Sequence, residues 1–174
     1  MYPCEKCYII AEAGVNHNGS AVLAHRLVDA AREAGADAVK FQTFRSDKLA
    51  SHFARKGAYQ VEQTGSGESQ QEMLRKLELG EEDFLALKAH CDSGGIEFLS
   101  TPFDVESADF LEPLVGAYKI SSGDVTNLPF LEHLARKGKA VILSTGMSTL
   151  AEVAEAVEAI IRLNNQTLTL LHCT

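Results

Sequence analysis

Two lysines stand where lysines are rarely found. Lys40 lies within Val39-Lys40-Phe41-Gln42-Thr43 and Lys119 within Tyr118-Lys119-Ile120, each inside an otherwise apolar run. Lysine is almost never fully buried without a partner, so a lysine on an inward strand position asks for an anion. An ammonium serves phosphate as a point-charge donor. Hydroxyls recur at similar places, at Ser100, Thr101, Ser121, Ser122, Ser144 and Thr145, and Gly123 and Gly146 allow backbone amides a close approach. Taken singly, each Ser or Thr is as well explained by a turn or helix cap; it is the recurrence that argues for a site. Glu12 ends the run Ile9-Ile10-Ala11, where a carboxylate could move protons, accept hydrogen bonds from sugar hydroxyls, or simply pair with a lysine. His172, in Leu170-Leu171-His172-Cys173-Thr174, is an imidazole of the kind that suits a divalent metal, although a lone histidine is more often a packing residue. Cys173 is expected on the opposite face of that strand, and His25, His52, His90 and His133 on the surface.

The elements that must position these groups alternate. Apolar runs over 8–13, 36–43, 96–101, 117–121, 140–144 and 168–173 read as strands. Helical spacing covers 20–34, with Ser20 as N-cap and Gly35 as stop, then 72–77, 81–92, 105–114, 129–137 and 150–163. Thr149 followed by Glu152 forms a capping box for the last of these. The polar stretch 45–70 reads as one long loop, expected to be mobile without substrate and to fold over the site with it. Strands alternating with helices predict a parallel α/β sheet, either open and doubly wound or the front part of a (β/α)8 barrel. A barrel gathers all strand C-termini at one mouth, so polar groups at nearly every strand end favour it. About six of eight βα units would then be present, with Val39, Phe41, Leu99 and Ile142 as inward apolar side chains.

Composition narrows the class of function. With 174 residues, 45% of them hydrophobic and 23% charged, the chain has the make-up of one ordinary globular domain. A net charge of −8 argues against nucleic acid, which needs a basic stripe. No apolar run reaches the roughly 20 residues of a membrane helix, and the N-terminus lacks a signal pattern; the expectation is a cytoplasmic protein. Cys4, Cys7, Cys91 and Cys173 read as reduced thiols.

The motifs also carry a resemblance. The segment from Ile10 to Gly19, IAEAGVNHNG, resembles the opening motif of the N-acetylneuraminate (sialic acid) synthase family. So do Val39 to Thr43, Phe98 to Asp104, Tyr118-Lys119-Ile120 with Ser122-Gly123, Leu143 to Met147, and Leu171 to Thr174, in the family's order and spacing. The stretch from Glu68 to Leu77, with Ala58-Tyr59-Gln60 before it, is closer to the legionaminic branch. The resemblance implies a TIM-type barrel followed by an antifreeze-like domain, in a domain-swapped homodimer. It implies condensation of phosphoenolpyruvate with N-acetylmannosamine or a related N-acetylated hexose, releasing phosphate, with Mn or Mg polarising the aldehyde. By motif match Lys40, Thr101, Lys119, Ser122 and Ser144 hold phosphoenolpyruvate, Glu12 and Gln42 face the sugar, Glu12 and Lys119 are the catalytic candidates, and His172 is the first of two metal-binding histidines. The second histidine, two strands and the antifreeze-like domain are expected beyond Thr174, so residues 1–174 form the N-terminal part of the barrel. A Schiff-base aldolase using Lys119 or Lys40, and a non-catalytic barrel fragment that survives by self-association, are the competing readings.

Overall fold

A computed structural model describes residues 7–174 except 52, 59, 60, 63, 64 and 66. Cys4, His52, and the parts of the polar stretch at Tyr59, Gln60, Gln63, Thr64 and Ser66 lie outside the described residues, so expectations placed on them are not taken further.

The described elements are β1 (Ile10–Gly14), α1 (Ala21–Glu33), β2 (Ala38–Thr43), α2 (Ser46–Leu49), α3 (Gln70–Arg75), α4 (Glu81–Gly94), β3 (Glu97–Pro102), α5 (Val105–Leu111), β4 (Ala117–Ile120), a 3-10 turn (Ser122–Asp124), α6 (Leu128–Arg136), β5 (Ala140–Ser144), α7 (Leu150–Ile161) and β6 (Leu168–Leu171). Side chains close the helix starts as their types require. Ser20 Oγ accepts from Leu23 N at 3.3 Å. At α7, Glu152 N donates to Thr149 Oγ1 at 3.3 Å while the Glu152 carboxylate accepts from Thr149 N at 2.7 Å. A second capping box, Ser69 with Glu72, starts α3 earlier than the apolar spacing suggests.

All strand pairs are parallel, in the orders β1-β2-β3 and β4-β5-β6, with β3 packed beside β4. The strands thus follow chain order without a reversal, unlike a doubly wound sheet, whose ligand crevice lies where the order reverses. The helices cover one face only. Val39, Phe41, Phe98, Tyr118, Ile120, Val141 and Leu143 from the strands pack against Val28, Leu87, Leu111, Leu131, Leu134 and Ile160 from the helices. The other face carries a small apolar cluster of Ala38, Leu99, Ala117 and Ile142, with Ile10, Ala140 and Leu171 at its margin.

This corrects one expectation. Leu99 and Ile142 do lie on the uncovered face, but Val39 and Phe41 face the helices. Alternation along β2 leaves no choice: once Lys40 takes the uncovered side, its neighbours take the other. The polar stretch also departs from a plain loop. Ser46–Leu49 forms a helical turn, and Lys56 pairs with Glu68 at 3.0 Å. Among the described residues, no helix is long and apolar enough to cross a membrane.

Candidate active site

At the C-terminal ends of the strands, the uncovered face changes from apolar to polar. Register sets this directly: Glu12 lies beside Lys40, Gln42 beside Thr101, and Lys119 one strand from Ile142, two residues before Ser144. Lys40 is 7% exposed, and its Nζ stands 2.7 Å from Glu12 Oε2 and 3.2 Å from Thr101 Oγ1. Lys119 is also 7% exposed; its Nζ donates to Ser144 Oγ at 2.6 Å and to the Ile120 carbonyl at 2.9 Å, which turns the ammonium toward the strand end. Burial lowers the Lys119 pKa to about 8, and the nearby Lys40 charge adds to this, partly offset by Glu12 and Cys173. Two ammonium groups that feel each other, with one carboxylate between them and the solvent, make a site short of negative charge. A dianion entering it would relieve both the mutual repulsion and the desolvation.

Glu12 is held by a kink. The pairing of β1 with β2 slips between Glu12 and Gly14, and Gly14 has φ +54°. A Cβ there would sit 2.9 Å from Glu12 Oε1 and 3.7 Å from Gln42 Nε2, so the bend brings the carboxylate and the amide together. Glu12 and Gln42 also differ in exposure, the first open to solvent and the second half-buried, as suits groups that meet a polar ligand.

The hydroxyls divide. Thr101 and Ser144 join the lysines. Ser100 does not: it lies on the helix-facing side and shares a 2.7 Å hydrogen bond with Thr43. Ser121 accepts from Gly123 N, and Thr145 donates to the Leu171 carbonyl at 2.9 Å, both structural roles. Ser122 is half-buried at the start of the 3-10 turn that follows β4. The glycine expectation changes as well. At Gly146 a Cβ would lie 2.6 Å from the Thr174 carbonyl, so the close approach there is to the chain itself.

His172 follows directly on β6, which ends at Leu171, and is exposed. Ile142 pairs with Thr169 and Ser144 with Leu171, so Thr169 and Leu171 share the lysine-bearing face. The Cys173 thiol is near enough to act on Lys119 and lies beside Gly146. Cys173, expected on the face away from the site, thus stands near Lys119. Among the described residues no three His, Cys, Asp or Glu side chains gather to hold a metal, and the carboxylate nearest the lysines is already paired with Lys40.

Sequence reasoning passed over two groups. Burial raises the Asp124 carboxyl pKa, and this residue shares the 3-10 turn with Ser122. His17, in the turn after β1, is 1% exposed; its Nδ1 accepts from Gly19 N at 3.1 Å while Nε2 finds no hydrogen-bond partner among the described residues. Burial holds the imidazole below its usual pKa, against a weaker pull from Asp83. Its position between Asn16 and Asn18 marks a turn but gives no sign of burial. The other described histidines behave as expected of surface groups, His90 pairing with Asp29 at 2.9 Å and His133 with Asp109 at 2.7 Å.

Known proteins resemble this chain in sequence and fold. The N,N'-diacetyllegionaminic acid synthase of Legionella pneumophila is 50% identical over 97% of this chain and 49% of its own length. The corresponding synthase of Campylobacter jejuni is 47% identical over 98% of this chain and 52% of its own. The crystal structure of the N-acetylneuraminic acid synthetase of Leptospira borgpetersenii in complex with citrate superposes with a TM-score of 0.81 at 35% identity, over 96% of this chain and 54% of that one. The chain spans about half the length of the curated relatives it matches. The profile of the NeuB family matches residues 27–174, and with these likenesses the chain belongs to the NeuB family.

Proposed function

We propose that residues 1–174 are the N-terminal part of a (β/α) barrel that condenses phosphoenolpyruvate with an N-acetylated hexose to give a nonulosonic acid. The observation that carries this reading is the pair of buried lysines, Lys40 on β2 and Lys119 on β4, on the same face either side of β3, with Thr101 and Ser144 beside them. The phosphate and carboxylate of phosphoenolpyruvate supply the negative charge this face lacks, with Ser122 a further donor at the strand end. Glu12 and Gln42 face the aldose; Glu12, already polarised by Lys40, is placed to hold a sugar hydroxyl or move its proton. In the reaction, carbon 3 of phosphoenolpyruvate bonds to the aldehyde carbon, water adds at carbon 2, and phosphate leaves with cleavage of its C–O bond. The names of the two synthase relatives favour a sugar with two N-acetyl groups. A divalent ion, Mn or Mg, would take His172 as one ligand and need further donors, since among the described residues no three such side chains gather. A cytoplasmic homodimer completed by an antifreeze-like domain belongs to the same proposal.

Calorimetry tests the anion site. Near pH 8, where Lys119 is about half charged, phosphoenolpyruvate binding should draw a proton onto it, and the heat should vary with the buffer's ionisation enthalpy. Lys119→Met should remove that proton uptake. Failure of the chain to bind phosphoenolpyruvate at millimolar concentration would overturn the reading.

A second reading has one observation in its favour. An amine with a pKa of about 8 beside another cation is also what a Schiff-base enzyme needs. Borohydride reduction in the presence of pyruvate separates the two: a stable adduct on Lys119 supports an aldolase, and an unmodified chain supports the synthase.

A further inference from the structure

The turn after β1 has two sides. Asn16 and Asn18 line, with Gln42, a cleft of about 600 Å³ beside the lysine cluster. His17, between them, is turned into the protein: it is 1% exposed, and its ring centroid lies 6.2 Å from that of Phe41. Phe41 is the residue between Lys40 and Gln42, and it stacks in turn 6.0 Å from Phe98. The imidazole therefore joins the turn to the helix-facing side of the strand whose other side carries the site. Backbone bonds shape the turn, Asn16 N to the Ala13 carbonyl and Asn18 N to the Val15 carbonyl, both at 3.0 Å, but each closes within the turn itself.

A leucine could pack on Phe41 as well. What histidine adds is an acceptor, Nδ1, for the N–H of Gly19, a residue so close to the next segment that a Cβ would fall 2.2 Å from the Lys76 carbonyl oxygen. Because Nδ1 accepts, the ring proton sits on Nε2. Only the neutral ring can serve in this way. A proton on Nδ1 would face the Gly19 N–H, and burial already holds the imidazole below its usual pKa. The charged groups around it do little to welcome a cation. Asp83 of α4 pulls only weakly the other way, and its carboxylate accepts from Gly80 N at 3.0 Å. Lys76 pairs with Glu68, Glu78 accepts from Ser46 N, and α1 has no acidic residue in its first turn. Lys40 and Glu12 pair with each other on the far side of β2.

We propose that His17 is a positioning residue for the sugar side of the site: its imidazole, packed on Phe41 and accepting from Gly19 N, holds the turn so that Glu12 and the cleft wall stay in register with Gln42. When the ring takes up a proton the turn loses this anchor. The sugar side is then lost, while the lysines that hold phosphoenolpyruvate, carried by β2 and β4, stay in place. This rests on the sugar-condensing function proposed above and adds a residue that touches neither substrate.

NMR titration of the 174-residue chain with N-acetylmannosamine and with phosphoenolpyruvate, at about pH 7.5 and about pH 5 on either side of the histidine range, tests it. In the unaltered chain, sugar affinity should fall about tenfold once about nine-tenths of His17 is protonated, because only the neutral fraction binds. The His17 ring-carbon shift reports that protonation, and the Gly19 amide should lose its protection from hydrogen exchange in step. His17→Leu fills the space without an acceptor; it should bind the sugar poorly at both pH values and leave the Gly19 amide unprotected. His17→Asn, whose Oδ1 can stand in for Nδ1 but does not titrate, should restore both and remove the pH step. Phosphoenolpyruvate should bind all three chains alike at each pH, its own ionisation being common to them, which also shows that they are folded. The same pH step in His17→Asn as in the unaltered chain, full sugar affinity in His17→Leu, or sugar affinity that outlasts the protonation of His17 would each overturn the proposal. Sugar binding by none of the chains would instead count against the condensation reading. The Gly19 amide then decides the anchor alone: protection in His17→Leu overturns it, and protection only with an acceptor at position 17 upholds it.

Discussion

Strand β2 shows two kinds of surface within a few residues. Toward the helices it presents Val39 and Phe41, 1% and 0% exposed and closed in by aliphatic and aromatic side chains. Toward the other side it presents Lys40 and Gln42, which touch Glu12, Thr101 and the cleft. Strand β4 repeats this with Tyr118 and Ile120 against Lys119. The helix-covered face can be optimised for packing alone, because nothing there needs to meet a ligand. The uncovered face holds two buried cations whose desolvation is only partly repaid by one carboxylate and two hydroxyls. Stability and chemistry are thus sorted onto opposite sides of the same backbone, one residue apart.

Substitutions on each face should therefore have separable effects. The largest is expected for Phe41→Ala, which removes a fully buried ring stacked 6.0 Å from Phe98. It should lower unfolding free energy by about 3–5 kcal/mol in urea titration. Lys40→Met should do the reverse. The Glu12 it leaves behind has a side chain 51% exposed and open to hydration, so stability should change by less than in Phe41→Ala. Phosphoenolpyruvate affinity should fall about tenfold to a hundredfold, the worth of one charge-assisted hydrogen bond, measured calorimetrically.

Titration gives a finer contrast. The Lys119 pKa is about 8 in the folded chain against 10.5 when exposed. Between those values the unfolded chain holds the extra proton, so stability should rise with pH across that window, by at most about 1.4 kcal/mol per pH unit. Lys119→Met should flatten the rise. For His17 the folded pKa is depressed, so the unfolded chain takes up a proton first as pH falls through the ordinary value of 6.5. Stability should drop below that pH, and His17→Gln should lose less of it; urea midpoints at pH 7 and pH 5 compare the two. The smallest effect belongs to Thr149→Ala. Loss of the cap on α7 should cost about 1 kcal/mol and leave phosphoenolpyruvate affinity unchanged, since Thr149 contacts neither face.

The residues legible in the sequence are those whose placement follows from local rules. Lys40 and Lys119 sit inside runs long enough for alternation to assign a face, and Ser20 and Thr149 cap their helices through neighbours three residues on. What escaped depends on distant partners. Ser100 looks like a site hydroxyl until β2 and β3 pair and join it to Thr43. The place of Cys173 beside Lys119 and Gly146 depends on segments brought in from β4 and β5, which the short run 168–173 does not reveal. Phe41 was misassigned by treating inward and apolar as one property, although its neighbour Lys40 had already claimed the uncovered side. The burial of His17 and the close approach of Gly19 to Lys76 arise where α3 and the residues after it meet the turn after β1, and no periodicity in either segment announces that contact.

That contact also determines how the chain can vary. Gly35 has φ +77° with open space around it, so an asparagine, which tolerates this backbone region, could replace it at modest cost. Gly19 has nearly the same φ, yet a single added carbon would collide with the peptide oxygen of Lys76, and backbone cannot rotate aside as a side chain can. In a library randomised at both positions, survivors should include several residues at 35 and glycine alone at 19. Tolerated variation should consequently come from exchanging side chains along 69–77, while the loop that faces them remains a fixed edge against which every variant must fit.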